Sequence, residues 1–532
     1  MKKTTMALAG GAALAFCMSA AWAAEDTSGW VTAWATATQD PLPAGFAIGN
    51  PAANSPEWGL MFPNQRANNQ TFRMMVRPFL SGDRIRLRFS NLMGDRPVTL
   101  DSLSVAQRGS GREIVAASQK KVTFGGADGV TIAPGRDVLT DVLDFAVEPE
   151  KDVAVTFHLV GESGAITWHA KAMETSYLNA AGAGDATKDV SGAALDRQIR
   201  SWLWLNELQA WRNEPGRATI VAIGDSITDG SGTTIDGHDR WTDFLNRRLR
   251  AAGSKKVVVN SGIGGNRVTT LRWGPVIGGA LVSSASQSDM SGAAGTPNAR
   301  CDACGAPAIA RLERDALNLP NVSAIILFEG VNDIGGGGGY GEIIAGMQDV
   351  ALRAKARGVK VYAATITPYY GFAYDLVYPD VTRRQVNDWI RTTKIFDAVF
   401  DFDAVARDPK NPARIAPDLE APDHIHLNPK GYEAAAKSIP LKVLDDTLSQ
   451  GPARPAPFPR EAAPGAKAPE RFRDARSDSR PRRSKINVIL DREGGHCHGV
   501  SGLRPRWRPD SELNDKNRRR RRAIGRPCVR RS

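Results

Sequence analysis

From Trp30 to about Glu214 apolar residues recur at every second position. Ile85, Leu87 and Phe89 alternate with Arg84, Arg86 and Arg88, and Val153, Val155, Phe157 and Leu159 repeat the pattern. Shorter runs, Val98 to Val105, Val122 to Phe124 and Ala165 to His169, lie between Gly, Pro and Asp turns. Successive side chains of a strand point to opposite faces, so this period with regular turn signals predicts an antiparallel sandwich or jelly roll. From Arg217 the period changes. Apolar runs Thr219 to Ile223, Val257 to Val259, Ala324 to Phe328, Val361 to Ile366 and Ala398 to Phe402 are separated by helical patterns at Trp241 to Leu249, Ile309 to Leu317, Ile343 to Ala356 and Val381 to Ile390. Continuously apolar strands alternating with amphipathic helices predict a parallel sheet covered on both faces, an α/β domain. Ligands of such sheets bind beyond the carboxyl ends of the strands, which directs attention to the residues after each run.

The ends of the chain differ from the body. Lys2 and Lys3, the apolar and small-residue run Met6 to Ala21 and the sequence Ala21-Trp22-Ala23 form a charged n-region, an h-region and an A-x-A site. Residues 1–24 are read as a Sec-type signal peptide, giving a periplasmic or secreted protein with no later span of about 20 apolar residues. The net charge of +12 does not belong to the folded part: Gly451 to Ser532 holds 23 Lys/Arg against 9 Asp/Glu, leaving 46 basic and 48 acidic residues before it. Nucleic acid is therefore not expected as a partner of the body. The tail 451–532, rich in Arg and Pro, is expected to be disordered. It reads as a polyanion-binding arm or, preferably, as an out-of-frame extension, since the domain before it is complete without it. The expected organisation is thus signal 1–24, β-rich domain 25–214, α/β domain 215–450 and tail 451–532. In an oxidising compartment Cys301 and Cys304 are expected to form a local disulfide or stand as two idle thiols rather than a redox or zinc motif.

The first α/β strand runs into Gly224-Asp225-Ser226-Ile227-Thr228-Asp229-Gly230. A serine at the exit of a buried strand, beside a glycine that permits a tight turn, is placed as an exposed nucleophile would be. Thr228 stands where a G-x-S-x-G elbow needs its second glycine, which disfavours the α/β-hydrolase fold. The second strand leads to Asn260-Ser261-Gly262-Ile263-Gly264-Gly265-Asn266-Arg267 and the third to Gly330-Val331-Asn332-Asp333. Glycines let backbone N–H groups approach a ligand, and an Asn amide can donate to an oxyanion; both segments also read as ordinary turns. Late in the domain comes Asp423-His424-Ile425-His426 before a helix around Tyr432 to Lys437. His426 serves Ser226 as a base if Asp423, three residues earlier, holds its Nδ1 proton. His424 is the rival, but a carboxylate cannot readily fold back onto the ring of its immediate neighbour. In the β-rich region His158 and His169 are read as structural, and Trp202, Trp204 and Trp211 as packing against the next domain rather than a carbohydrate platform.

Together the four segments resemble the SGNH/GDSL hydrolase superfamily: Gly224-Asp225-Ser226, the Asn260 to Gly265 glycine segment, Gly330-x-Asn332-Asp333 and Asp423-x-x-His426, in the family order over about 200 residues. The Trp30-Val31-x-x-Trp34 opening and the β-rich region are similar to two-domain bacterial arylesterases or acylhydrolases of the xylan-cluster type. The Gly/Ser/Ala-rich insertion Gly278 to Pro307 departs from that pattern. The resemblance implies a flavodoxin-like three-layer α/β/α fold after an all-β sandwich or jelly roll. It also implies a triad of Ser226, Asp423 and His426, and an oxyanion hole made by the Ser226 and Gly265 N–H groups and the Asn332 side chain. Gly264 is the alternative donor; Gly265 lies five residues after Asn260, as the family pattern has it. The implied activity is hydrolysis of short-chain, aryl or acetylated-carbohydrate esters through an acyl-enzyme, with no metal or organic cofactor. The alternatives are an acyltransferase using the same triad and a non-catalytic carbohydrate-binding protein.

Overall fold

A computed structural model describes residues 29–39, 61–269, 304–376 and 380–448. The signal segment, Cys301, most of the insertion 278–307 and the tail 451–532 lie outside the described residues. Among those described, no helix is long and apolar enough to cross a membrane.

The N-terminal region is built from antiparallel sheets. Strand Leu205–Trp211 lies between Trp30–Ala35 and Arg84–Ser90, with Asp137–Leu139 at the edge. A larger sheet runs Arg197–Ile199, Ser176–Leu178, Asn68–Val76, Val153–Glu162 and Val98–Gln107. Their inward residues, among them Phe72, Leu87, Phe89, Val155, Phe157 and Trp204, form one apolar core. Ile85, Leu87 and Phe89 are buried as the alternation requires, but so is Arg86, whose guanidinium binds Gln209 and lies 4.5 Å from the Trp30 ring centroid. Two short runs depart from expectation. Val122 to Phe124 carries no strand, because Phe124 and Ala127 close a tight turn there; of Ala165 to His169 only Trp168–His169 is a strand, paired with Trp202–Leu203.

The α/β part begins at β1 (Ala218–Gly224), followed by β2 (Lys256–Gly262), β3 (Val322–Phe328), β4 (Lys360–Ala364) and β5 (Ala398–Phe400). All pairs are parallel and the spatial order is β2-β1-β3-β4-β5, the doubly wound flavodoxin-like order. Every residue of β1 is buried, as a strand covered on both faces must be. Helices α1 (Trp241–Ala251), α2 (Tyr340–Ala356), α3 (Val381–Thr392) and α4 (Pro429–Ser438) cover the sheet; Trp241, Leu245 and Leu249 of α1 recur at helical spacing and join its core. The fifth run stops at Phe400 instead of Phe402, since Asp401 accepts the Ala404 N–H at 3.1 Å and caps a new turn. The Ile309 to Leu317 helix is an α-turn, Ala308–Leu312, continued by a π-helical turn, Glu313–Leu317. In register, Gly224 faces both Gly262 and Phe328, so the first three strands end level and their following segments open on one rim.

Candidate active site

Ser226 opens the four-residue helical turn Ser226–Asp229, directly after β1. Asp225 makes the turn: its Oδ1 accepts the Ile227 N–H at 2.9 Å, while Gly224 is bare because a Cβ there would collide with Thr228. His426 reaches the same point from the loop before α4, 200 residues later. Its Nε2 lies 2.7 Å from Ser226 Oγ, and its Nδ1 lies 2.7 Å from Asp423 Oδ2. An ionised carboxylate only accepts, so Nδ1 carries the proton and Nε2 is left to accept from the serine hydroxyl. The other Asp423 oxygen takes the N–H groups of Ile425 at 3.3 Å and His426 at 3.1 Å. Burial pushes the Asp423 carboxyl up, but the imidazole beside it and these hydrogen bonds outweigh that and hold it well below the usual carboxylate range. Ser226 and His426 are buried within the rim. His424 is held elsewhere: at φ 67° its Nδ1 lies 3.0 Å from Glu420 Oε1.

The glycine segment after β2 is fixed by side chains around it. Asn260 accepts from Gly262 N at 2.9 Å and donates to Thr228 O at 2.5 Å, tying the second segment to the first. Gly264 N–H is already taken, by Asp229 Oδ2 at 2.9 Å. Among the described residues the Ser226 and Gly265 N–H groups meet no acceptor, and Gly265 holds the left-handed φ of 75° that turns its peptide. Of the two glycines, Gly265 is thus the one with a proton to offer. Asn332 donates from Nδ2 to Asn266 O at 2.9 Å, which leaves one amide proton, and its Oδ1 accepts from Tyr374 at 2.9 Å. Asp333 binds the third segment to the second by accepting from Val268 N at 2.8 Å and Thr269 N at 3.1 Å. The predicted set Ser226, Gly265, Asn332, Asp423 and His426 is therefore built on segments joined around one strand-end rim.

Beneath the rim lies a buried charged group that the motifs did not announce. Arg311 donates to Ser261 O at 2.6 Å, Gly224 O at 3.1 Å and Asn266 Oδ1 at 3.0 Å, and lies 3.5 Å from Glu329. Burial pushes the Asp225 carboxyl up to about 7, and burial together with Asp225 holds Glu329 well above its usual range. Tyr374 was equally unmarked, being one of several aromatic residues between Tyr369 and Tyr374 with no spacing rule to single it out.

His158 is held between Asp101 Oδ1 and Asn69 Oδ1, each at 2.8 Å. Trp204 belongs to the core of its own sheets, Trp202 donates to Met75 O at 2.7 Å, and Trp211 lies under Arg84 at 3.7 Å; none of them forms an open platform. Cys304 is disulfide-bonded, and the remaining cysteines lie outside the described residues. Ligand atoms of Asp152, Glu174 and His238 lie within 4.8 Å of one another. Arg77 and Arg108 bind Asp152 at 2.5 Å and 3.0 Å, and Arg108 also reaches Glu174 at 2.7 Å, so two guanidinium charges already face the carboxyl groups and the cluster does not call for a cation.

Residues 222–434 match the model of the GDSL-like lipase/acylhydrolase family. Among solved structures the chain is similar to a GDSL-like lipase from Bacteroides thetaiotaomicron, at 15% identity over 43% of this chain and 88% of that one with a TM-score of 0.29. It is also similar to a carbohydrate acetylesterase family member from Sinorhizobium meliloti, at 15% identity over 42% and 94% with a TM-score of 0.27. A third is the psychrotrophic esterase EstA from Pseudoalteromonas sp., at 16% identity over 41% and 93% with a TM-score of 0.27. No curated protein matches the chain. The assignment rests on the family match and on the four motif segments meeting at one rim: the part of the chain spanning residues 222–434 is a GDSL-like lipase/acylhydrolase domain of the SGNH hydrolase superfamily.

Proposed function

We propose that the chain is a serine ester hydrolase acting through an acyl-enzyme on short-chain, aryl or acetylated-carbohydrate esters. The observation that carries this is the continuous relay from Asp423 Oδ2 through His426 to Ser226 Oγ, both links 2.7 Å long. In the proposed cycle Ser226 Oγ attacks the ester carbonyl as His426 Nε2 takes its proton. The Ser226 and Gly265 N–H groups and the Asn332 amide stabilise the oxyanion, and His426 then protonates the departing alcohol. Water, deprotonated by the same imidazole, attacks the acyl carbon and returns the serine. No step needs a metal or organic cofactor. The test is turnover of p-nitrophenyl acetate by the native chain and by Ser226→Ala. Loss of at least about 10³-fold is expected for removal of the nucleophile, and equal rates would overturn the reading. A panel from acetyl to long-chain esters, with acetylated xylan, then assigns the substrate.

The same reading places the enzyme outside the cytoplasm, on the strength of Lys2, Lys3, the apolar run Met6 to Ala21 and Ala21-Trp22-Ala23. Amino-terminal sequencing of the exported protein should begin at Ala24 or Glu25. Recovery of the intact Met1 terminus in the cytosol would reject it.

A further inference from the structure

One side chain of the antiparallel region reaches into the site. His169, on the strand Trp168–His169, is 3% exposed. Its Nδ1 faces Ala37 O at 2.8 Å, and its Nε2 faces Asp229 Oδ1 at 3.0 Å and Lys171 O at 3.2 Å. Asp229 closes the turn that Ser226 opens, and its other oxygen receives the Gly264 N–H at 2.9 Å. The next peptide is that of Gly265. Neighbouring contacts seat the same stretch on the same turn: Lys171 Nζ lies 2.5 Å from Ser231 Oγ, and Arg240 bridges the carbonyls of Asp229 and Ala172.

We propose that His169 is a positioning residue, a brace through which the β-rich region holds Asp229, and through it the Gly264-Gly265 turn, in the orientation that aims the Gly265 N–H at the oxyanion. The proposal rests on the reading of Gly265 as an oxyanion donor. Asp229 is as buried as His169. A carboxylate stripped of one donor in such a place turns toward whatever proton it can find, because an unpaired buried charge is costly. That movement releases Gly264. The antiparallel region then contributes to the chemistry without touching substrate.

The two nitrogens of His169 separate this role from simple packing. In His169→Gln the amide nitrogen occupies the place of Nε2 and keeps the donor to Asp229; in His169→Asn it occupies the place of Nδ1 and keeps only the donor to Ala37. The expected result with p-nitrophenyl acetate is a kcat about tenfold lower in His169→Asn, a fraction of the 10²- to 10³-fold cost of losing a donor outright. KM should stay within about twofold, and His169→Gln should lie within about threefold of native. Asp229→Asn, which sets a donor against a donor, should reproduce the loss. Rates restored by Asn rather than by Gln, or equal in the two, overturn the brace, as does full activity in Asp229→Asn. A second readout needs no activity: in a Ser226→Ala background, amide exchange across residues 261–267 should be faster with His169→Asn than with His169→Gln. Equal exchange rejects the proposal. A native chain inert toward every ester rejects the functional reading and leaves exchange to decide the brace.

Discussion

The phenol of Tyr374 donates to Asn332 Oδ1 at 2.9 Å, and this fixes which way the Asn332 amide faces. With its oxygen drawn to the ring, the nitrogen is presented to Asn266 O and to the rim. Gly335 makes room for the contact, since a Cβ there would collide with the Tyr374 ring. Tyr374→Phe keeps the ring and removes the proton, so the amide loses a hydrogen bond worth about 1 kcal/mol. The expected outcome is a kcat about fivefold lower with little change in KM, against about 10²- to 10³-fold for Asn332→Ala. Steady-state kinetics on one ester checks both; a Tyr374→Phe enzyme at native rate would show that the amide is oriented by other groups.

Gly265→Ala tests the donor itself. Gly265 has φ 75°, where a side chain costs about 1–2 kcal/mol, and its Cβ would run into Cys304 Sγ. The turn must shift, and the N–H shifts with it. A fall in kcat of at least about tenfold is expected, with thermal unfolding displaced by a few degrees. Gly264→Ala is the control, since its Cβ would come no closer than 3.7 Å to Asp229 Oδ2 and its φ is not in the left-handed region. Equal damage from the two would argue that the segment, rather than the Gly265 N–H, is what matters.

These residues also show where the sequence was informative. The parallel sheet was legible because its strands are apolar on both faces, a pattern longer than any local accident. The triad was legible because each member follows a strand or precedes a helix inside a short motif. What escaped was set by tertiary contact. Tyr374, Arg311 and Glu329 acquire their roles only when segments far apart in sequence fold over one another, and His169 was read as structural because nothing in Ala165 to His169 records Asp229 opposite. Strand ends failed for a similar reason: Phe402 continues an apolar run, yet the Asp401 cap decides where β5 stops.

Glu174 predicts a pH dependence of stability. Burial, with Asp152 nearby, pushes its carboxyl up to about 8 against the pull of Arg108, while burial pushes His238, 3.1 Å away, down to about 3. At neutral pH these shifts favour the uncharged forms of both groups. A folded-state pKa raised above the unfolded value near 4.3 means that the folded state holds the extra proton. This contribution is complete below about pH 4 and is lost as pH rises toward 8, by about 1.4 kcal/mol per unit. Glu174→Gln keeps the size and shape of the side chain and cannot ionise. Its stability relative to native should therefore rise between pH 5 and pH 8 in denaturant titrations. A constant difference across that range would mean that Glu174 is ionised throughout.

Asp423 has the opposite sign. Its carboxyl is held below the usual range although burial pushes the other way, so the folded state favours the ion and the unfolded state, near 3.9, binds the proton first. The stabilisation is present in full above about pH 4 and disappears as pH falls through the folded value. Asp423→Asn must turn an NH2 group either toward the His426 ring or toward the N–H groups of Ile425 and His426, which the native carboxylate satisfies together. Turned to the ring, it favours the wrong tautomer and leaves Nε2 unable to accept from Ser226. The expected kcat is lower by on the order of 10²- to 10⁴-fold, the range in which a triad loses its orienting carboxylate. Stability at pH 7 should fall by about 1–3 kcal/mol. Because the carboxylate contribution is itself lost in acid, the stability gap between native and variant should close below pH 4. An Asp423→Asn chain that turns over esters at the native rate would mean that His426 is held by something other than this carboxylate.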